Sequence, residues 1–115
     1  MTKQRETIRD LNDRFRALDQ TIPGRIMITS GVQHLIAEHN GFGLNDVVRA
    51  VQAFDKFDKD NDPYGQHYYG AFDFLNRRLF WKIDYYAPNL QHGSEDPADL
   101  TKTVRVLTIM LAEEY

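Results

Sequence analysis

The chain contains no cysteine, which excludes disulfide staples, thiolate metal sites and a cysteine nucleophile together. It also lacks a basic excess: 14 Lys and Arg stand against 17 Asp and Glu, giving a formal net charge of −3. Proteins held to nucleic acid through phosphate contacts show a basic surplus or stripe. Here basic and acidic residues are interleaved, so nucleic acid is disfavoured as a partner. No apolar run approaches the length of a membrane span, and the charged opening MTKQRETIRDLNDRFRALD has no apolar core of a secretory signal. A phosphate-binding Gly loop, G-x-S-x-G and H-E-x-x-H are all missing. These absences lead to the expectation of a soluble cytoplasmic protein of bacterial style, off the membrane. Its 115 residues suit a single domain over 1–115 with one core. The oligomeric state is left open.

Aromatic residues, by contrast, are concentrated. The chain has seven Phe, six Tyr and one Trp, and nine of these fourteen fall in DNDPYGQHYYGAFDFLNRRLFWKIDYYAP, residues 60–88. Two strands are expected there, about 67–74 and 79–86, after the turn-forming cluster Asn61-Asp62-Pro63-Tyr64-Gly65. Side chains alternate faces along a strand. Tyr68, Gly70, Phe72 and Phe74 therefore share one face with Leu79, Trp81, Ile83 and Tyr85, provided the connecting loop has an even number of residues. A two-residue turn at Asn76-Arg77 or a four-residue loop over 75–78 meets that condition. Either sets Phe74 opposite Leu79, Phe72 opposite Trp81, Gly70 opposite Ile83 and Tyr68 opposite Tyr85. The other face then collects His67, Tyr69, Asp73, Phe80, Lys82, Asp84 and Tyr86, with Tyr69 opposite Asp84 and His67 opposite Tyr86. Gly70, with no side chain on the core face, admits Trp81 or a helix close against the strand.

Elsewhere the periodicity predicts helices. Residues 3–18 carry Ile8, Leu11, Phe15 and Leu18 on one stripe, with Asp10 and Arg14 placed as an i,i+4 ion pair. Pro23-Gly24 forces a turn, and 25–29, RIMIT, read as a strand. Ser30 is the expected cap of a helix through Val32, Leu35 and Ile36, ended by Asn40-Gly41. Asn45 is the expected cap of a helix through Val47, Val48, Val51 and Phe54. Asp96-Pro97 reads as the start of a closing helix over 98–113, with Leu100, Val104, Leu107 and Leu111 on one face.

The candidate chemistry is thin. His67 near Tyr86 and Asp84 has the composition of a general base with an orienting carboxylate, but also of a solvated cross-strand polar set, which is the commoner case. Asp58, Asp60 and Asp62 resemble half a calcium loop, yet Pro63 sits at the sixth position, where Gly is required, and Tyr69 at the twelfth, where Glu is required. His34 and His39 are five apart and fall on different helix faces, and His92 stands alone. No metal, catalytic residue or cofactor is indicated. Exposed tyrosines with few lysines suit a protein–protein surface. The candidate binding residues are Tyr64, His67, Tyr69, Lys82, Asp84 and Tyr86.

The segments NDPYGQHYYGAF (61–72), FWKIDYYAPNL (80–90) and VLTIMLAEEY (106–115), with IRDLNDRFR (8–16) and GRIMITSGV (24–32), resemble the blocks of a small bacterial family of unknown function, number 3768. The family pattern reads N-D-P-Y-G-E-H-D-F-G and F-W-K-I-D-Y-Y-D. Asn61, Asp62, Pro63, Tyr64, Gly65, His67 and Gly70 match the first block, and Phe80 through Tyr86 the second. Gln66, Tyr68 and Ala87 replace the expected Glu, Asp and Asp, which weakens any reading that needs those carboxylates. The resemblance implies a single-domain bacterial protein, often an accessory of plasmids or other mobile DNA, without an established activity.

The expected fold is α+β: a small, mainly antiparallel sheet, made of the 67–86 hairpin and a short strand at 25–29, packed on one face by N-terminal, central and C-terminal helices. The expected function is a non-enzymatic protein-interaction module, of the mobile-element accessory or anti-defence kind, with another protein as partner. The alternative is a small enzyme or ligand-binding domain using His67, Lys82 and Asp84. Nucleic-acid mimicry by the acidic residues 55–62 is weaker, because a net charge of −3 is small for it.

Overall fold

The computed structural model describes residues 6–115. Helix α1 spans Ile8–Arg16, so residues 3–5 of the expected helix lie outside the described residues. Thr7 caps it: its hydroxyl accepts from the Asp10 amide at 3.1 Å while the Asp10 carboxylate accepts from the Thr7 amide at 3.3 Å. Asp10 is thus committed to the cap and does not form the expected pair with Arg14, which bonds Glu6 at 2.6 Å and Asp19 at 2.8 Å. The helix stops at Ala17 because Leu18 turns left-handed, φ 65°, and the Asp19 amide closes onto the Arg14 carbonyl at 3.0 Å.

After Pro23 the chain forms β1, Gly24–Ile28. Helix α2, Ser30–Ala37, is capped one residue earlier than expected, by Thr29, whose hydroxyl takes the Val32 amide. Helix α3, Leu44–Gln52, also starts early: Gly43 is its cap, with its amide held by the Asp46 carboxylate at 2.7 Å.

The hairpin is β2, Tyr69–Phe74, and β3, Arg77–Tyr86. Its turn is two residues long but sits at Leu75-Asn76, both left-handed at φ 50° and 63°, the conformation that matches the twist of a tight hairpin. The register is therefore displaced by two from expectation. Phe74 pairs with Arg77, Phe72 with Leu79, Gly70 with Trp81 and Tyr69 with Lys82. Because the loop length stays even, the residues within the two strands keep the expected faces, while His67, expected on the outer face, precedes β2 and leaves it.

The closing helix is overturned. Residues Val104–Leu111 are strand β4, followed by a 3₁₀ turn at Ala112–Glu114. The run T-V-R-V-L-T-I-M-L satisfies both periods, but its β-branched residues lose rotamer freedom in a helix and pack well in a sheet. Asp96 accepts from the Ala98 amide at 3.2 Å within a loop instead of starting a helix.

The sheet order is β1-β4-β3-β2, with β1 parallel to β4 and the other pairs antiparallel. The fold is α+β with a mixed, mostly antiparallel sheet. On one face Leu79, Trp81, Ile83, Leu107, Ile109 and Leu111 are all buried, and α1, α2 and α3 add Leu11, Phe15, Val32, Leu35, Val47 and Val51 to the same cluster. Gly70 lies under it: a Cβ there would run into the Trp81 indole nitrogen and, at 2.7 Å, the Phe54 ring.

Candidate functional site

The parity of the strands leaves the second face of the sheet without a helix. It carries Tyr69, Phe80, Lys82, Asp84, Tyr86, Val104, Val106, Thr108, Met110 and Met27, since Tyr69 pairs with Lys82, Phe80 with Met110, Lys82 with Thr108, Asp84 with Val106, Tyr86 with Val104 and Met27 with Thr108. Met110, at the end nearest Tyr115, is buried, and most of the other side chains are partly covered. Met27 is 52% exposed. Lys82 and Asp84, two apart on one strand, form an ion pair at 3.1 Å with both side chains half exposed. At one end Tyr69, Phe80 and Tyr115 form an aromatic trio, each ring edge-on or tilted to the next at 5.4–6.5 Å. Partial burial pushes the Tyr69 phenol up from its ordinary range, with Tyr115 adding to the rise.

Two of the six expected binding residues lie elsewhere. Tyr64 is 78% exposed at the tip of the loop before β2, beside Thr7 and Arg9. His67 does not join the outer face. Its φ of 55° turns the side chain to the helix side, where it stacks on Phe57 with ring centroids 3.8 Å apart. There Nδ1 meets the Asp13 carboxylate at 2.8 Å and Nε2 faces Asp62 at 3.7 Å. Buried Asp62 holds the turn, accepting from the Gln66 and His67 amides at 3.1 and 3.2 Å. Asn61 does the same for the preceding loop, bonding the Asp58 amide and the Lys56 carbonyl. The block Asn61-Asp62-Pro63-Tyr64-Gly65 thus folds a loop and cages an imidazole. The expected pairing of His67 with Tyr86 does not occur, and His67 is separated by the sheet from Lys82 and Asp84.

A buried polar cluster on the helix side had no counterpart among the expected residues. Arg105, fully buried on β4, donates through Nε to the Asn12 side-chain oxygen and through one terminal nitrogen to the Pro97 carbonyl, both at 2.7 Å. Asn12 in turn donates to the Tyr85 hydroxyl at 2.8 Å and the Gln66 carbonyl at 2.9 Å, and the Arg105 guanidinium lies over the Tyr85 ring. Desolvation lowers the Arg105 pKa and raises that of Tyr85, which the Asn12 bond opposes. Arg16 donates to the Val51 and Phe54 carbonyls at the end of α3 at 2.7 and 3.0 Å, where a cation meets the negative end of the helix. It also lies over the Trp81 and Phe57 rings at 4.8 and 5.3 Å. The available signal was spacing: Asn12 and Arg16 are i,i+4 beside the apolar stripe of α1, and Arg105 interrupts an apolar run.

The fold and surface together define a small α+β protein with a one-sided sheet. Residues 28–114 match the family described as Protein of unknown function (DUF3768), and the chain belongs to that family. The matched span contains the His67 loop, β4 and the outer face except Met27 and Tyr115, and leaves α1 outside. No curated protein and no solved structure matches the chain.

Proposed function

We propose that this protein is a non-enzymatic interaction module, acting as one domain, whose uncovered sheet face takes another protein. The carrying observation is that face: Tyr69, Phe80 and Tyr86 stand on a sheet surface without a helix, around the half-exposed Lys82–Asp84 pair. Aromatic anchors ringed by polar groups are the pattern of protein interfaces. The alternative, an enzyme or ligand-binding domain using His67 with Lys82 and Asp84, is less well supported. Both His67 nitrogens face carboxylates, and a general base needs one within reach of substrate. An accessory or anti-defence role on mobile DNA is a role of the interaction kind.

The test is affinity capture from host lysate with the natural chain and with the Tyr69→Ala/Tyr86→Ala variant, both checked by circular dichroism. A protein retained by the first and lost by the folded variant is the expected result. Identical partner sets for both would remove this reading.

A further inference from the structure

The sheet ends differently at its two edges. In the parallel pairing at β1, the Thr29 amide donates to the Ile109 carbonyl and the Arg105 amide to the Pro23 carbonyl, so the odd-numbered residues bond inward and Ile28 presents its carbonyl outward. The Gln33 side chain of α2 closes that carbonyl at 2.8 Å. At β2 the two-residue hairpin and the 2.8 Å bond from the Ile83 amide to the Tyr68 carbonyl fix Tyr68, Gly70, Phe72 and Phe74 as the residues bonded to β3. The amides and carbonyls of Tyr69, Ala71 and Asp73 therefore point out of the sheet, and no hydrogen bond among the described residues reaches them. Edge strands of this kind are ordinarily blunted by proline, a bulge or a covering element. β2 has no proline and its register runs without a bulge.

A groove of about 870 Å³ runs along this edge, walled by Ala50, Ala53 and Phe54 at the end of α3. Asp55, Asp58 and Asp73 stand on it against Lys56 and Arg78, an excess of one carboxylate. Asp73 is paired with Arg78 at 3.2 Å, and one Asp58 oxygen accepts from the Asp60 and Asn61 amides at 2.9 Å while its charge stays on the groove. Outward backbone groups, an apolar wall and this acidic excess call for one kind of occupant.

We propose that β2 takes an extended segment of a partner protein as a fifth strand, its apolar side chains against Ala50 and Ala53 and a Lys or Arg toward Asp55 and Asp58. This rests on the interaction-module reading and names the docking edge and the partner's chemistry. Backbone bonds to Tyr69, Ala71 and Asp73 supply affinity, and the wall selects alternate side chains. A second copy fits less well, because it would bring its own α3 end and acidic loop to the same groove.

The probe is a blocked peptide, Lys-Val-Thr-Val-Thr-Lys, titrated to millimolar concentration into the isotope-labelled full chain and followed by amide NMR. Saturable shifts are expected at Tyr69, Ala71, Asp73 and Ala53. Methylating alternate peptide amides should weaken binding about tenfold or more, since the lost donors bond the strand edge. Ala71→Pro, which removes an outward amide, and Ala53→Arg, which fills the groove and repels the lysines, should each do the same, while His92→Ala, exposed in the loop after β3, should not. The second variant keeps the test valid if the first fails to fold. No saturable shift, equal binding of the methylated peptide, or shifts centred on Met27 and Val106 would overturn the proposal. So would concentration-dependent shifts at the same amides without peptide, which would make a second copy the occupant. A silent peptide alongside partner loss in Tyr69→Ala/Tyr86→Ala would remove the edge proposal and leave the interaction reading standing.

Discussion

At the scale of single residues, the positions with least freedom are those where the fold has no room or no water. Gly70 is one, because the Trp81 indole and the Phe54 ring occupy the space of any side chain. Gly70→Ala should cost about 2 kcal/mol, the usual range for overpacking a core, read as a lower urea midpoint at unchanged slope. Asn12 is another. It holds the Arg105 guanidinium, the Tyr85 hydroxyl and the Gln66 carbonyl at once, so Asn12→Ala strands the buried Arg105 nitrogen and leaves two half-buried oxygens without this donor. A stranded buried group costs about 1–3 kcal/mol, and the expected loss is about 2–3 kcal/mol by urea denaturation. A loss under about 1 kcal/mol would mean that these groups find other partners. Neither Asn12 nor Arg105 stood out in the sequence, because a polar residue beside an apolar stripe looks the same whether it faces solvent or a second polar group from ninety residues away. Gly70 did stand out, because a gap in an otherwise aromatic core face must be filled by a neighbouring side chain.

At the scale of elements, local chemistry decided what local chemistry can decide. The faces of the hairpin follow from the two-residue period, which put Phe72, Leu79, Trp81 and Ile83 on the core side and Tyr69, Lys82, Asp84 and Tyr86 opposite. The register required knowing which two residues accept left-handed dihedrals, and Leu75 is a poor advertisement for that. Asn76 holds φ 63°, so Asn76→Gly should raise stability by about 0.5 kcal/mol and Asn76→Val lower it by about 1–2 kcal/mol, since a β-branched residue pays the full left-handed penalty. Thermal unfolding of the pair checks both signs. His67 escaped the parity rule for the same reason: Asp62 holds its amide and turns the backbone out of the strand. β4 escaped because its pattern fits two periods and its partners, β1 and β3, lie far off in sequence.

The C-terminal turn offers an element-scale test against pH. Burial alone would raise the Glu114 pKa, but bonds from the Thr29 hydroxyl and the Leu111 and Gly31 amides outweigh it and hold the carboxyl below its ordinary 4.5. A depressed folded pKa contributes stability above the unfolded pKa, and that contribution is lost as pH falls through the folded value. Glu114→Gln should therefore lower the melting temperature at pH 7 and flatten its decline between pH 5 and 3. A decline as steep as that of the natural chain would show that this carboxylate does not link the end of β4 to the start of α2.

For the whole molecule, the one-sided sheet sets a contrast between adjacent residues of its central strand. Leu107, 1% exposed, points among the helices, whereas its neighbour Val106 points to the outer face opposite Asp84. Leu107→Ala removes buried methylenes and leaves a cavity, for an expected loss of about 3 kcal/mol. Val106→Ala removes a side chain that the folded chain covers only in part, so the loss should stay under about 1 kcal/mol. Both are read from urea midpoints at low protein concentration. If Val106→Ala costs as much as Leu107→Ala, something covers the outer face in solution, and a midpoint that rises with protein concentration would identify it as a second copy. The small cost expected here therefore bears on the proposed interaction reading, which requires that nothing in the folded chain cover Val106 and the tyrosines beside it.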